Sequence, residues 1–302
     1  MHLDIFELTP PLTVDSLILP LFSEKGLRVS LVRSDLIHPQ ISGNKWFKLK
    51  YNLEYALQNN YKSVVSFGGA YSNHLHALAW AAKESGLASI GVVRGEVVSN
   101  PMLEDVVEWG MQLHFVDREN YRRKSDPEWL KEHQHLWGDA LVVPEGGSNA
   151  LAVKGVAELA SMIEQVCPDM NYLLAPCGTG GTLAGLISGV AQGVKVEGYP
   201  VLKGGDFLTS DIADLLEAAQ AEPKCEWRLD LGAHYGGYGK ANAEHRAFLA
   251  DIEEKLGIPF DQVYTSKMLR RFLENVELNR YPVGSHIVLV HTGGLQGRRS
   301  LR

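Results

Sequence analysis

The chain is poor in the features that most readily announce a function. Three cysteines stand among 302 residues, Cys167, Cys177 and Cys225, with no C-x-x-C pair. That spacing offers neither a disulfide framework nor a thiolate zinc site, and free thiols point to a reducing compartment. Cationic residues are outnumbered: 29 Lys and Arg face 36 Asp and Glu, a formal charge of −7. Nucleic acid and anionic membrane surfaces are therefore poor partners. The one compact basic run, Arg122-Arg123-Lys124, is closely followed by Asp126 and Glu128 and reads as a solvated helix end. Long apolar runs are lacking as well. The longest, "YLLAPCGTGGTLAGLISGVA", is broken by glycines and too polar to span a bilayer. The opening "MHLDIFELTP" has neither the basic nor the apolar section of a secretory leader, so the expectation is a cytoplasmic protein.

Several catalytic signatures are missing too. No H-E-x-x-H metalloprotease motif occurs, and no G-x-S-x-G elbow. His74 and His76 are two apart on an expected helix, face different directions, and cannot share one metal. What remains is a composition that is 45% hydrophobic and 22% charged, typical of a globular protein. The length suggests about two domains.

Strand-like runs alternate with helical patterns. "LRVSLVRSD" precedes a helix from about Lys45 to Gln58, and "KSVVSFGG" precedes "SNHLHALAWAAKESG". "ASIGVVRG", "MQLHFVD", "DALVVPEGGSN" and "NYLLAPCGTGG" continue the series, with helical patterns between them. Short β-rich runs stopped by glycine and followed by capped helices predict an α/β protein with parallel sheets. The polar stretch 118–139 reads as a surface excursion, and "HYGGYGKANAEHR" as an irregular loop.

In open parallel sheets, ligands gather where strand ends meet loops. At "FGGAYSNH", either Ser72 or Asn73 could cap the next helix. At "APCGTGGTLAG", Gly178, Gly180 and Gly181 let backbone N–H groups converge, Thr179 and Thr182 add hydroxyls, and a helix start follows. That combination binds phosphate. It matches neither the P-loop nor G-x-G-x-x-G, so one phosphate monoester fits better than a nucleotide. In "VLVHTGGLQGRR", Thr292 directly follows an apolar strand, and its hydroxyl needs a backbone carbonyl or a ligand nitrogen. Finally, "SGNKWFKLKYNLEYAL" sets Lys45 at a helix start, where the helix dipole disfavours a cation, with Lys48 one turn on. Lys45 is either a solvated surface charge or a positioned amine. A phosphate cradle, an early lysine and neutral strand-end loops together suggest pyridoxal 5'-phosphate, which needs an amine for its aldehyde, a cradle and a ring-nitrogen partner.

Six ordered blocks, "SGNKWFKLKYNL", "SFGGAYSNHLHALAWAA", "PEGGSN", "CGTGGTLAGL", "DQVYTSKM" and "HTGG", spread from about residue 33 to 297. Together they resemble the 1-aminocyclopropane-1-carboxylate deaminase / D-cysteine desulfhydrase family of pyridoxal-phosphate enzymes. The resemblance implies two open parallel-sheet domains of the tryptophan-synthase-β-like fold, fold type II. Residues 1–63 and 143–302 would form a large cofactor-binding domain, and 64–142 a small inserted α/β domain. It further implies a homodimer and a small amino-acid substrate. Lys45 matches the Schiff-base lysine and Lys48 a lysine near the phosphate. Asn73 matches the partner of the ring oxygen, and Ser72 a serine facing the substrate. Gly178 belongs to the glycine-rich loop, in which Thr179, Gly180, Gly181 and Thr182 match the phosphate site. Tyr264 matches a site tyrosine, and Tyr238 a second one, with Tyr235 close enough to confuse the alignment.

The chain departs from that pattern where the reaction is decided. Ring-opening members carry an acid directly after the tyrosine of the "VY" block, facing the ring nitrogen; here Thr265 stands there, and Thr292 matches the neutral partner of desulfhydrase-like members. A carboxylate deepens the electron sink, whereas a hydroxyl does not. The expectation is therefore β-elimination from a small amino acid such as D-cysteine, giving a keto acid and ammonia. Deamination of the cyclopropane acid or another amino acid is the alternative, and a non-catalytic pyridoxal-phosphate binder is a third reading. Trp46 and Phe47, bulkier than the residues many members have there, either pack the helix or narrow the pocket.

Overall fold

Short runs rich in β-branched residues form ten strands in the computed structural model, which describes residues 10–301. In chain order they are β1 (Val14–Ser16), β2 (Arg28–Val32), β3 (Ser63–Gly69), β4 (Ala88–Arg94), β5 (Gln112–Val116), β6 (Ala140–Val142), β7 (Tyr172–Cys177), β8 (Lys195–Pro200), β9 (Glu226–Leu229) and β10 (His286–Val290). They make two sheets, ordered β1-β2-β10-β7-β8-β9 and β5-β4-β3-β6. Every pairing is parallel except β1 with β2. Strands β7 and β10 are buried along their whole length, as parallel strands covered on both faces must be.

Register brings the site loops together. Ile287 of β10 lies opposite Val29 on one side and Tyr172 on the other. The carboxyl ends of β2, β10 and β7 therefore finish close together, and the segments after them converge above the sheet.

The helix Asn44–Gln58 buries Phe47, Leu49, Leu53 and Ala56 on its inner stripe. It packs against the helix Ala150–Val166 almost backbone to backbone: a Cβ at Gly155 would stand 2.0 Å from the Phe47 carbonyl oxygen. Trp46 and Phe47 are both buried, and neither belongs to the cavity wall described below, so their rings pack the helix.

Two stretches differ from the sequence reading. Residues 118–139 are not a plain surface excursion: they form the helices Arg118–Arg122 and Pro127–His133, which bury Tyr121 and Trp129, and the turn after them buries Trp137. Trp129 lies 6.4 Å, ring to ring, from Phe67 of β3 and covers one face of the smaller sheet. Dense charge on the outer side hid that aromatic stripe. The "HYGGYGKANAEHR" stretch begins as a turn but runs into the helix Ala243–Leu256, capped by Asn242. Residues 1–9, on which the leader was judged absent and with which the expected large domain begins, lie outside the described residues, as does Arg302. Among the described residues no helix is long and apolar enough to cross a membrane.

Because the Gly155 contact fixes how the Lys45 helix sits, Gly155→Ala is expected to destabilise the fold by about 1–3 kcal/mol, measured by chemical denaturation.

Candidate functional site

The carboxyl ends of both sheets open onto one cavity of about 740 Å³. Its wall includes Lys45, Lys48, Ser72, Asn73, Gly178, Thr179, Gly180, Thr182, Tyr238, Tyr264 and Thr292. The sequence-expected residues thus meet in one place, with a single exception. Gly181 is not in the wall but packs beneath it, where a Cβ would come within 2.5 Å of Ser148 Oγ and 3.0 Å of Lys48 Nζ.

Lys45 is the second residue of its helix. That helix starts at Gly43, whose φ of 68° and ψ of −139° suit only glycine, and whose Cβ would lie 2.1 Å from the Thr292 carbonyl oxygen. The close approach welds the Lys45 turn to the end of β10. Lys45 Nζ donates to Asn44 Oδ1 at 2.9 Å, and Asn44 Nδ2 donates to Thr182 Oγ1 at 2.6 Å. Burial lowers the Lys45 amine to about 8, against the opposing pull of Asp261.

Lys48 is buried, and its amine is pushed well below its ordinary value, by burial first and then by the charge of Lys45. It donates to Ser148 Oγ at 2.8 Å, and Ser148 shares a 2.6 Å hydrogen bond with Thr179 Oγ1. The amine also abuts Gly181, at the start of the helix Gly181–Gly189. A cation beside a positive helix end is repelled unless an anion lies between them. Gly180, the residue before that helix, is left-handed at φ 74°.

Opposite this cradle, Ser72 caps the helix Asn73–Glu84, its hydroxyl accepting from Leu75 N at 3.2 Å. Ser72 is therefore the cap of the two candidates. Its hydroxyl proton is donated to no described residue. Asn73 Oδ1 is buried with no hydrogen-bond partner among the described residues, a cost that a ligand hydroxyl would remove. The Tyr238 and Tyr264 rings meet edge to face at 5.9 Å and 69°. Burial, with Tyr238 beside it, raises the Tyr264 phenol well above its ordinary value, so it stays protonated. Tyr235 points elsewhere, donating to Glu274 Oε1 at 2.8 Å. Thr292 lies in the cavity wall; Thr265, although fully buried, does not.

Sequence reasoning missed several neighbours. Asn44 and Ser148 link the lysines to the glycine-rich loop, and their place in "SGNK" and "GGSN" was the available signal. Ser148 belongs to a short connection in which Val143 N donates to Val65 O at 2.8 Å and Asn149 Nδ2 to Asn52 Oδ1 at 2.7 Å. His74 lines the cavity, bonded to Ser66 Oγ at 2.8 Å and kept neutral by burial and the two lysines. Asp261 accepts from the backbone N–H groups of Val263, Tyr264 and Thr265 and so fixes the turn that carries Tyr264. Lys124, read as part of a solvated helix end, lies in the wall and pairs with Glu145 at 3.3 Å.

These residues fit pyridoxal phosphate. Lys45 offers an amine that loses its proton through about pH 8, the Lys48–Ser148–Thr179 chain and the helix start offer a phosphate cradle, and Asn73 Oδ1 and Thr292 offer polar partners for the ring. Among the described residues no group of three or more His, Cys, Asp or Glu could hold a metal.

Comparison with known proteins gives the same picture. Residues 17–293 match the family described as pyridoxal-phosphate dependent enzyme. A Pyrococcus horikoshii protein provisionally named 1-aminocyclopropane-1-carboxylate deaminase is 32% identical, over 91% of this chain and 86% of its own. The bifunctional D-cysteine desulfhydrase/1-aminocyclopropane-1-carboxylate deaminase of Arabidopsis thaliana mitochondria is 28% identical, over 90% and 73%. The crystal structure of an ACC deaminase homologue superposes with a TM-score of 0.82 at 28% identity, over 96% of this chain and 92% of that one.

Capture of pyridoxal phosphate by cofactor-stripped protein, trapped with borohydride, is expected to need the neutral Lys45 amine. It should rise with pH through about 8 and level off about one unit higher, since the protonated amine is not a nucleophile. Lys45→Ala should abolish the trapped product, read by absorbance and peptide mapping.

Proposed function

Since the chain belongs to the pyridoxal-phosphate dependent enzyme family, with deaminase and desulfhydrase relatives, we propose that it catalyses β-elimination from a small amino acid such as D-cysteine, releasing a keto acid and ammonia. One observation carries this choice: the first polar side chain in the cavity wall after β10 is the neutral Thr292, and position 265, outside the wall, holds a threonine rather than a carboxylate. A hydroxyl does not hold a pyridine nitrogen protonated as a carboxylate would. Expelling a thiolate demands less of the electron sink than opening an unactivated cyclopropane ring.

Bound pyridoxal phosphate would supply that sink, conjugated to the substrate Cα. The chain's own groups do the rest. Lys45, whose amine burial lowers to about 8, takes the Cα proton in its neutral form, and the proximity of Asn44 keeps its amine directed. Ser72 has a free hydroxyl proton to donate to the substrate, and Asn73 orients the ring. The Tyr238–Tyr264 pair closes the substrate side, with Tyr264 protonated and able to donate to the departing β-group. Lys48, Thr179, Gly180, Gly181 and Thr182 hold the phosphate. The departing thiolate takes up one proton, and the released enamine hydrolyses to keto acid and ammonia.

The two sheets support a division into a large cofactor-binding domain of residues 1–63 and 143–302 and a small inserted domain of residues 64–142. The resemblance adds a homodimer as the assembly.

The test is keto-acid release from D-cysteine, L-cysteine, β-chloroalanine and the cyclopropane acid. Release from a β-substituted amino acid is expected to exceed that from the cyclopropane acid by about a hundredfold, equivalent to about 2.7 kcal/mol in the barrier. Comparable rates on both would replace elimination with ring-opening deamination. A spectral change on adding amino acid, with no product from any, would favour a pyridoxal-phosphate binder without turnover.

A further inference from the structure

A further buried lysine lies outside the cavity and has no part in the chemistry above. Lys267 is fully buried and lies in the first turn of the helix Thr265–Glu277, which begins one residue after Tyr264. Burial and a helix start both disfavour a cation. Among the described residues Lys267 makes no ion pair. Its Nζ instead donates to two backbone carbonyls, His234 O at 3.0 Å and Gly237 O at 2.8 Å. Burial lowers its amine to about 8.

Both acceptors belong to the turn that presents Tyr238. That turn is held in an unusual shape: φ is 39° at Tyr235, 95° at Gly236, 109° at Gly237 and 68° at Gly239. Its own bonds are short-range, Gly237 N to His234 O at 2.9 Å and Lys240 N to Gly237 O at 3.2 Å. Among the described residues, the Lys267–Gly237 contact is the one hydrogen bond from the backbone of residues 236–239 to anything beyond the turn. Tyr238 follows Gly237 directly, and its ring meets Tyr264, three residues before Lys267. One helix start thus carries one tyrosine and holds the loop of the other.

We propose that Lys267 is a positioning residue, which ties the 234–240 turn to the Tyr264 helix and thereby holds Tyr238 over the cavity. An exposed turn rich in left-handed glycines is entropically costly to order. Two charge-assisted bonds to carbonyls in a dry site offset that cost. This rests on the reading of Tyr238 as a residue facing the substrate.

The test uses the full-length holoenzyme and Lys267→Met. Amide exchange in residues 235–240 is expected to quicken about tenfold or more, while exchange in the helix Asn44–Gln58 stays unchanged. In parallel, kcat/KM on the best amino-acid substrate should fall by about tenfold or more. On a Tyr238→Phe background the same substitution should cost little further, because the ring it positions has lost its hydroxyl. Lys267→Gln, with one shorter neutral donor, should lie between wild type and Lys267→Met, and it keeps the test readable if methionine unfolds the helix. Unchanged exchange in 235–240, or losses from Lys267→Met and Tyr238→Phe that multiply, would overturn the proposal. So would normal turnover by Tyr238→Phe, which removes the purpose of the tether even where exchange reports it. The exchange measurement needs no turnover, so it reads the tether independently of which amino acid is the substrate.

Discussion

Two amines one helical turn apart, Lys45 and Lys48, are enclosed by protein, and among the described residues no carboxylate is bound to either. An unpaired buried ammonium is among the most expensive groups a fold can contain, and the usual escape is to lose the proton. The surroundings are arranged around that escape. Amide and hydroxyl oxygens, from Asn44 and Ser148, take the amine hydrogens without supplying charge. Glycine at 43 lets the strand-end backbone close in. The convergence of β2, β10 and β7 then sets these groups facing one another.

The same neutrality extends through the inner wall. His74 is held uncharged, the Tyr264 phenol is held protonated, and Thr292 brings only a hydroxyl. Carboxylates in the wall, Glu145, Asp211 and Asp214, come from other segments than these, and Glu145 is already engaged by Lys124 and Tyr121. An interior of this kind receives its charge from what binds there, and low local polarity strengthens each contact the newcomer makes.

Much of this was legible wherever the signal is local. Parallel strands betray themselves by unbroken apolar runs, and the glycine-rich turn with its following helix is contiguous in "CGTGGTLAGL". Lys45 was conspicuous because a lysine in the first turn of a helix opposes the dipole. What escaped depends on residues far apart in the chain. Ser148 looked like an ordinary loop residue until the fold set it between Lys48 and Thr179, a hundred positions from the lysine. Asp261 opens the "DQVYTSKM" block and betrays nothing of the three amides it satisfies. Tyr238 matched the second site tyrosine with Tyr235 close enough to confuse the alignment, and the left-handed turn separates them, sending one ring to Tyr264 and the other to Glu274. The tryptophans of residues 118–139 were masked by the charges around them.

The short connection after β6 ties the smaller sheet to the anion cradle beside the larger one. Within seven residues it continues the pairing with β3 through Val143, holds the 118–139 segment through Glu145, enters the phosphate cradle through Ser148 and reaches the Lys45 helix through Asn149. Nothing slack separates the smaller sheet from the cradle. Tilting one against the other must strain Ser148, and an anion that tightens around Ser148 must resist the tilt to the same degree, because linkage of this kind is reciprocal. The connection makes the protein a mechanical balance, with the anion site on one arm and the attitude of the smaller sheet on the other.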